Sequence, residues 1–203
     1  MALNLQKPGH DFRAVDLANP ACDKRAADGL KIAQDATAAV QGAEVVISML
    51  PASQHVEALF LGRDGQAGLL QAIAKGALII DSSTIAAATT QKVAKAAEAA
   101  GIAFIAAPVS GGTGGAQGAT LTFMCGGSVE AFERARPVLE GMGRKGVHCG
   151  AEGAGQAVKI CNNMMMAINM LGACEGFALA ERLGIKPQVL YDVVSTSSGS
   201  SWA

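Results

Sequence analysis

A lysine and an asparagine four residues apart, Lys159 and Asn163, carry the sequence's clearest chemistry. At that spacing both side chains share one face of an α-helix. A helical lysine ordinarily snorkels to water and takes no further part. Here the neighbours are Val158, Ile160, Cys161, Met164, Met165 and Met166, a run that predicts a helix apolar nearly all round and buried. A lysine on such a helix must reach a cleft, a partner or a ligand, because its charge is costly otherwise. Burial also lowers a lysine's pKa toward the range useful for proton transfer. The spacing therefore predicts a lysine and an asparagine together on one face of a buried helix, with Met164–Met166 as core filler.

Two further stretches could hold a ligand. The loop Ala107-Pro-Val-Ser-Gly-Gly-Thr-Gly-Gly115 follows an apolar run that reads as a strand. Consecutive glycines let a ligand approach backbone N–H groups, which form an anion-binding concavity. Its place at a strand's carboxyl end, where α/β proteins bind ligands, favours that role over a plain connector. Asp16 closes an earlier strand, and an acid there can bond the ribose hydroxyls of a dinucleotide, about 20 residues after a glycine fingerprint. It can equally be a turn aspartate opening Asp16-Leu-Ala-Asn-Pro20. Gly153 and Gly155 also follow a strand and open a helix. The small third residue of a fingerprint would there be Val158, and no acidic strand end follows, so this is not a pyrophosphate site. His10, His55 and His148 lie far apart without metal spacing, and no metal site is expected. Ser110 lacks the Gly-x-Ser-x-Gly setting of a hydrolase nucleophile.

The elements that must position these residues alternate along the chain. Strands are expected at Phe12–Asp16, Leu30–Ala33, Glu44–Leu50, Ala77–Asp81 and Ile102–Ala106, with later ones near Thr120–Cys125 and Val147–Cys149. Several are Val, Ile and Leu runs without polar alternation, as in strands covered on both faces. Helices are expected over Ala86–Ala100, closed by Gly101, and over Ser128–Met142, with Ser128 as N-cap and Glu130 in the first turn. This β-α rhythm predicts an α/β fold with a Rossmann-type, doubly wound parallel sheet. Beyond residue 150 it gives way to one long helix from Gly155 to about Leu183 and another over Lys186–Ser195. The expected organisation is a dinucleotide-binding domain over 1–150 and the start of an all-helical domain over 151–203. Met1–Lys7, closed by Pro8-Gly9, reads as the last turns of a helix. With that start and a polar stop at Ser195–Ala203, the chain reads as truncated at both ends, its first strand and glycine fingerprint upstream of Met1.

Composition removes other classes. Sixteen basic and seventeen acidic residues nearly cancel, so neither nucleic acid nor an anionic membrane surface is an expected partner. Asn162, Asn163, Asn169 and Glu175 make Ile160–Ala180 expensive in a bilayer, which favours a helix of a soluble protein. The odd number of scattered cysteines, five, predicts reduced thiols and a cytoplasmic setting rather than a disulfide framework.

Three motifs then name a family. Ala107-Pro-Val-Ser-Gly-Gly112, Leu121-Thr-Phe-Met-Cys-Gly-Gly127 and Gly153-Ala-Gly-Gln-Ala-Val-Lys-Ile-Cys-Asn-Asn163 resemble the β-hydroxyacid dehydrogenases, and most closely the 3-hydroxyisobutyrate dehydrogenases. Met1-Ala-Leu-Asn-Leu5, Ser48-Met-Leu-Pro51 and Ile80-Asp-Ser-Ser-Thr84 are similar too and stand in the same order, so the resemblance spans essentially the whole chain. It implies NAD-dependent oxidation of 3-hydroxyisobutyrate to methylmalonate semialdehyde, a step of valine breakdown, in a protein that is a homo-oligomer when full length. In that scheme Lys159 is the general base and Asn163 positions the substrate. Ser110, Gly111 and Gly112 hold the substrate carboxylate, while Leu50, Pro51, His55 and Thr84 line the cofactor site. Asp16 favours NAD over NADP, because a carboxylate repels a 2′-phosphate. Reduction of tartronate semialdehyde is the rival within the fold. A catalytically inactive fragment serving as an interaction or dimerisation module is the rival of another class. Two features depart from the family pattern: Ala106 stands where an aspartate is usual, and a lysine expected from the later helical domain is absent.

Overall fold

The computed structural model of the protein describes residues 1–6, 10–17 and 19–202. The chain runs α1 (Ala2–Gln6), β1 (Arg13–Ala14), α2 (Asn19–Ala27), β2 (Lys31–Ile32), α3 (Ala36–Val40), β3 (Val45–Ser48), α4 (Ser53–Leu61), β4 (Gly62–Arg63), β5 (Gln66–Ala67), β6 (Leu78–Asp81), α5 (Ala87–Ala99), β7 (Ala103–Ala106), β8 (Val109–Ser110), α6 (Gly112–Gln117), β9 (Leu121–Gly126), α7 (Val129–Met142), β10 (Gly143–Gly150), α8 (Ala154–Arg182) and α9 (Pro187–Val194). Packing divides it into two units, Met1–Lys159 and Ile160–Ala203.

The first unit is built on one sheet with strand order β10-β9-β7-β6-β3 and β8 beside β9. Strands β3, β6 and β7 are parallel, as the unbroken aliphatic runs predict. Period-two alternation sends their side chains to opposite faces. Ile79 and Phe104 join a core with Val56, Phe60 and Val93 of α4 and α5, whereas Leu78, Ile80 and Ile105 join a second core with Leu5 of α1 and Ala135, Leu139 and Met142 of α7. Helices thus cover both faces, the doubly wound arrangement expected. Ser128 caps α7 by accepting the Ala131 N–H at 3.1 Å, again as its sequence predicts.

Three expectations are corrected. The sheet is mixed, because β7 and β8 both pair antiparallel with β9. Pro108 interrupts this edge, but its carbonyl still accepts Met124 N–H at 2.9 Å, so the chain from β7 to β8 continues along β9. The expected strand Phe12–Asp16 shortens to Arg13–Ala14 and Leu30–Ala33 to Lys31–Ile32; these two form a separate parallel pair. Conversely, Val147–Cys149 lengthens to Gly143–Gly150, since neighbouring β9 supplies ladder partners along its length. Lys7, Pro8 and Gly9, expected to close the first helix, lie outside the described residues, as does Ala18 in the turn after Asp16.

The third correction concerns α8. Its sequence predicts burial all round, yet Ile160, Met164, Met165, Ile168 and Leu171 are all more than half exposed. In the second unit, α8 continues to Arg182 and α9 follows, with no buried residue in α9. A buried helix needs a second layer against each apolar face. On α8 the buried residues are Gly155, Gln156 and Lys159 at its start and Ala180 near its end; the large apolar side chains between them stay unburied. Among the described residues, no helix is long and apolar enough to cross a membrane.

Candidate active site

The site is organised by one row of residues across the sheet. Register pairs Ser48 of β3 with Asp81 of β6, Asp81 with Ala106 of β7, and Ala106 with Gly126 of β9. Beyond this row, at the carboxyl ends of β3 and β6, lie the segments that begin with Leu50 and Ser83. Ligands bind at such strand ends in α/β sheets.

Gly126 brings in the lysine helix. A Cβ on Gly126 would stand 2.7 Å from the Gly155 nitrogen, and one on Gly155 would stand 2.2 Å from the Met124 carbonyl oxygen. The backbones of β9 and the first turn of α8 are therefore in direct contact, which any side chain would prevent. This gives Gly155 a packing role, in keeping with its exclusion as a pyrophosphate glycine. Gln91 Nε2 donates to the Glu152 carbonyl at 3.1 Å and fixes the approach to the helix.

Lys159 follows one turn later and is 9% exposed. No hydrogen bond or ion pair reaches it among the described residues, and burial lowers its pKa below the ordinary lysine value. An ammonium held this way gives up its proton more readily than a solvated one, which makes the free amine a base needs easier to reach. Asn163, four residues on, accepts a hydrogen bond from Asn162 Nδ2 at 3.4 Å and is half-buried.

Sequence reasoning missed a polar network that reaches the first turn of α8 through Gln156. Asp81 Oδ1 accepts Ser48 Oγ at 2.7 Å, Ser83 Oγ at 2.6 Å and Ser83 N–H at 3.3 Å, while Oδ2 is buried without a partner. Burial raises this carboxyl's pKa, and the serine donors oppose the shift. Ser83 Oγ also accepts Leu50 N–H at 2.8 Å. Gln156 is fully buried; its Nε2 donates to the Ser83 carbonyl at 2.7 Å and its Oε1 accepts Ile85 N–H at 3.2 Å. A polar residue inside the apolar Gly155–Val158 stretch was the available signal.

The other expected residues fall into three places. Leu50, Pro51 and Thr84 follow the strands that end in the Ser48–Asp81 pair; Leu50 is half-buried, and Pro51 and Thr84 are exposed. His55 is exposed in the first turn of α4, and Ser53 at the start of that helix accepts Ala86 N–H at 3.2 Å, tying it to the segment after Thr84. Ser110 ends β8, Gly111 has φ 132°, and Gly112 begins α6 with φ 61°. Two successive residues at positive φ require glycine, which explains the pair. Asp16 lies two residues beyond β1, exposed, and among the described residues no ladder joins β1 to β3. Ala106, where an aspartate was usual, is fully buried next to Asp81, so a carboxylate there would double the charge in a closed setting. His148 is satisfied structurally, its Nε2 2.8 Å from the Gly127 carbonyl oxygen and its ring 5.3 Å from that of Phe132.

Known proteins share this arrangement. A family model described as the NAD binding domain of 6-phosphogluconate dehydrogenase matches residues 1–150. One described as the NAD-binding of NADP-dependent 3-hydroxyisobutyrate dehydrogenase matches residues 153–203. A 3-hydroxyisobutyrate dehydrogenase of Pseudomonas aeruginosa is 52% identical over all of this chain and 67% of its own length. The chain belongs to the 3-hydroxyisobutyrate dehydrogenase family. An NAD-dependent L-serine dehydrogenase of the same organism is 50% identical over the same shares. The structure of Mycobacterium tuberculosis 3-hydroxyisobutyrate dehydrogenase with L-serine matches with a TM-score of 0.88 at 43% identity, covering 99% of this chain and 67% of that one. Membership in the 3-hydroxyisobutyrate dehydrogenase family makes this an NAD(P)-binding dehydrogenase of 3-hydroxy acids. The chain spans about two thirds of the length of these relatives.

Proposed function

We propose that the protein oxidises 3-hydroxyisobutyrate to methylmalonate semialdehyde with NAD, using Lys159 as general base. The observation that carries this reading is the unpartnered, mostly buried Lys159, its pKa lowered by burial, one turn beyond the contact of α8 with the sheet. Its Nζ, in the unprotonated form that burial favours, accepts the proton of the substrate's hydroxyl. The nicotinamide, when bound, supplies the acceptor for the hydride released from the same carbon. Ser110 and the Gly111 and Gly112 amides hold the carboxylate, so the reacting carbon is presented in one orientation. Asn163 orients the hydroxyl. Leu50, Pro51, His55 and Thr84 line the cofactor site, and Asp16 selects NAD by repelling the 2′-phosphate of NADP. The division into a cofactor domain over 1–150 and a helical domain from 151 belongs to the same proposal.

A second reading concerns the substrate. L-Serine is also a 3-hydroxy acid, and a relative named NAD-dependent L-serine dehydrogenase favours it. Turnover of 3-hydroxyisobutyrate and L-serine, each with NAD and NADP, decides between them. A higher kcat/KM with L-serine overturns the first substrate, and a preference for NADP overturns the role of Asp16. Lys159→Ala should lower kcat by about 100-fold or more with little change in cofactor affinity. Near-normal kcat would remove Lys159 from the mechanism.

A further inference from the structure

The network through Ser83 joins the loop after β3 to the lysine helix. We infer that Gln156 is a positioning residue for Lys159, setting the roll of the first turn of α8 through its paired hydrogen bonds to the segment Ser83–Ile85. The inference rests on the proposed role of Lys159 as base.

The glycine contact between Gly126 and Gly155 sets how closely α8 approaches the sheet, but a smooth backbone contact leaves rotation about the helix axis weakly determined. Gln156 supplies what that contact lacks. Both ends of its amide are used, one donating and one accepting, and both partners are backbone atoms that follow β6. Such a fork resists rotation in either sense. Gln156 and Lys159 are three residues apart, so they lie on neighbouring positions of one helix face. Turning Gln156 away from Ser83 would carry Lys159 with it. A helix rotates by about 100° per residue, so even a fraction of that step would displace the Lys159 amine.

Asp81 makes the anchor rigid. By accepting the Ser83 hydroxyl hydrogen and the Ser83 N–H, it leaves the Ser83 oxygen to receive Leu50 N–H. The same residue, Ser83, thus ties the segment proposed to face the cofactor and, through its carbonyl, the turn that bears the proposed base. The two halves of the reaction are referred to one anchor.

The test compares Gln156→Met, which keeps volume and removes both bonds, with Gln156→Glu, which keeps the acceptor for Ile85 N–H. Lys159→Ala serves as the control in the full chain. Two readouts are needed: steady-state kinetics over pH, and the pH dependence of Lys159 acylation followed by mass spectrometry, which needs no turnover. Gln156→Met should lower kcat by about 10- to 100-fold with cofactor KM nearly unchanged. Lys159 acylation should move to higher pH as the side chain gains solvent. Gln156→Glu should show the same directions at smaller size, and it carries the test if Gln156→Met does not fold. Unchanged kcat and an unchanged acylation profile in both variants, with activity lost in Lys159→Ala, would overturn the positioning role alone. Activity retained in Lys159→Ala would overturn the base assignment and the inference with it.

Discussion

Leu139 in α7 and Leu171 in α8 are both apolar residues in helices, yet Leu139 is 2% exposed and Leu171 is 62% exposed. The first unit wraps its helices onto a sheet, so each apolar stripe meets strands from distant parts of the chain. In the second unit, Ile160–Ala203, the helices form equally well but keep most large apolar side chains at the surface. The contrast separates two properties that a hydrophobic helical sequence suggests together. Forming a helix needs local propensity and turn residues. Burying one needs a second layer, and that layer is a long-range property.

The contrast can be broken or sharpened by substitution. The largest effect is expected from truncation: Leu139→Ala should cost about 2–5 kcal/mol by leaving a cavity. Leu171→Ala in the same chain should stay within about 0.5 kcal/mol, as exposed positions do. Chemical denaturation measures both, and equal losses would mean that the two helices are equally packed. A smaller contrast comes from glycines. Gly155→Ala places a Cβ against the Met124 carbonyl and should destabilise by about 1–3 kcal/mol. Gly172→Ala meets nothing within 4 Å and should stabilise by up to about 1 kcal/mol, through helix propensity. Thermal melts of the two variants should therefore shift in opposite directions.

The smallest effect is the pH dependence contributed by Asp81. Burial raises its carboxyl pKa, so between the ordinary aspartate value and the raised one the folded state holds a proton that the unfolded chain has released. Its contribution to stability is therefore most favourable below the ordinary value and declines as pH rises through the raised one. Asp81→Asn removes this decline. The stability of the variant relative to the parent should improve from acid toward neutral pH, and a flat difference would place the charge elsewhere.

Much of the site was legible because its signals are local. Lys159 stands out as a cation in an apolar helical run, Gly111-Gly112 as a turn only glycine can make, and the carboxyl ends of β3, β6 and β7 follow aliphatic runs. Gln156 was marked only by its polarity in an apolar stretch, and its pairing with Ser83 was not legible. Glutamine is ordinary in a helix, and its bond to Ser83 spans 73 residues, a distance no periodicity reaches. The two-residue strand β8 and its antiparallel pairing were hidden for the same reason, since that pairing is set by β9 further along the chain.

The sequence by itself determined the α/β class, the order of the main elements and the family. Those follow from propensity, spacing and motif, which act over a few residues. Only the tertiary structure decided that the register row Ser48–Asp81–Ala106–Gly126 meets the start of α8, that Gln156 locks that turn to Ser83, and that most large apolar side chains of α8 beyond Lys159 stay unburied. Each depends on which distant backbone comes into contact, and close packing between distant segments is settled when the chain folds.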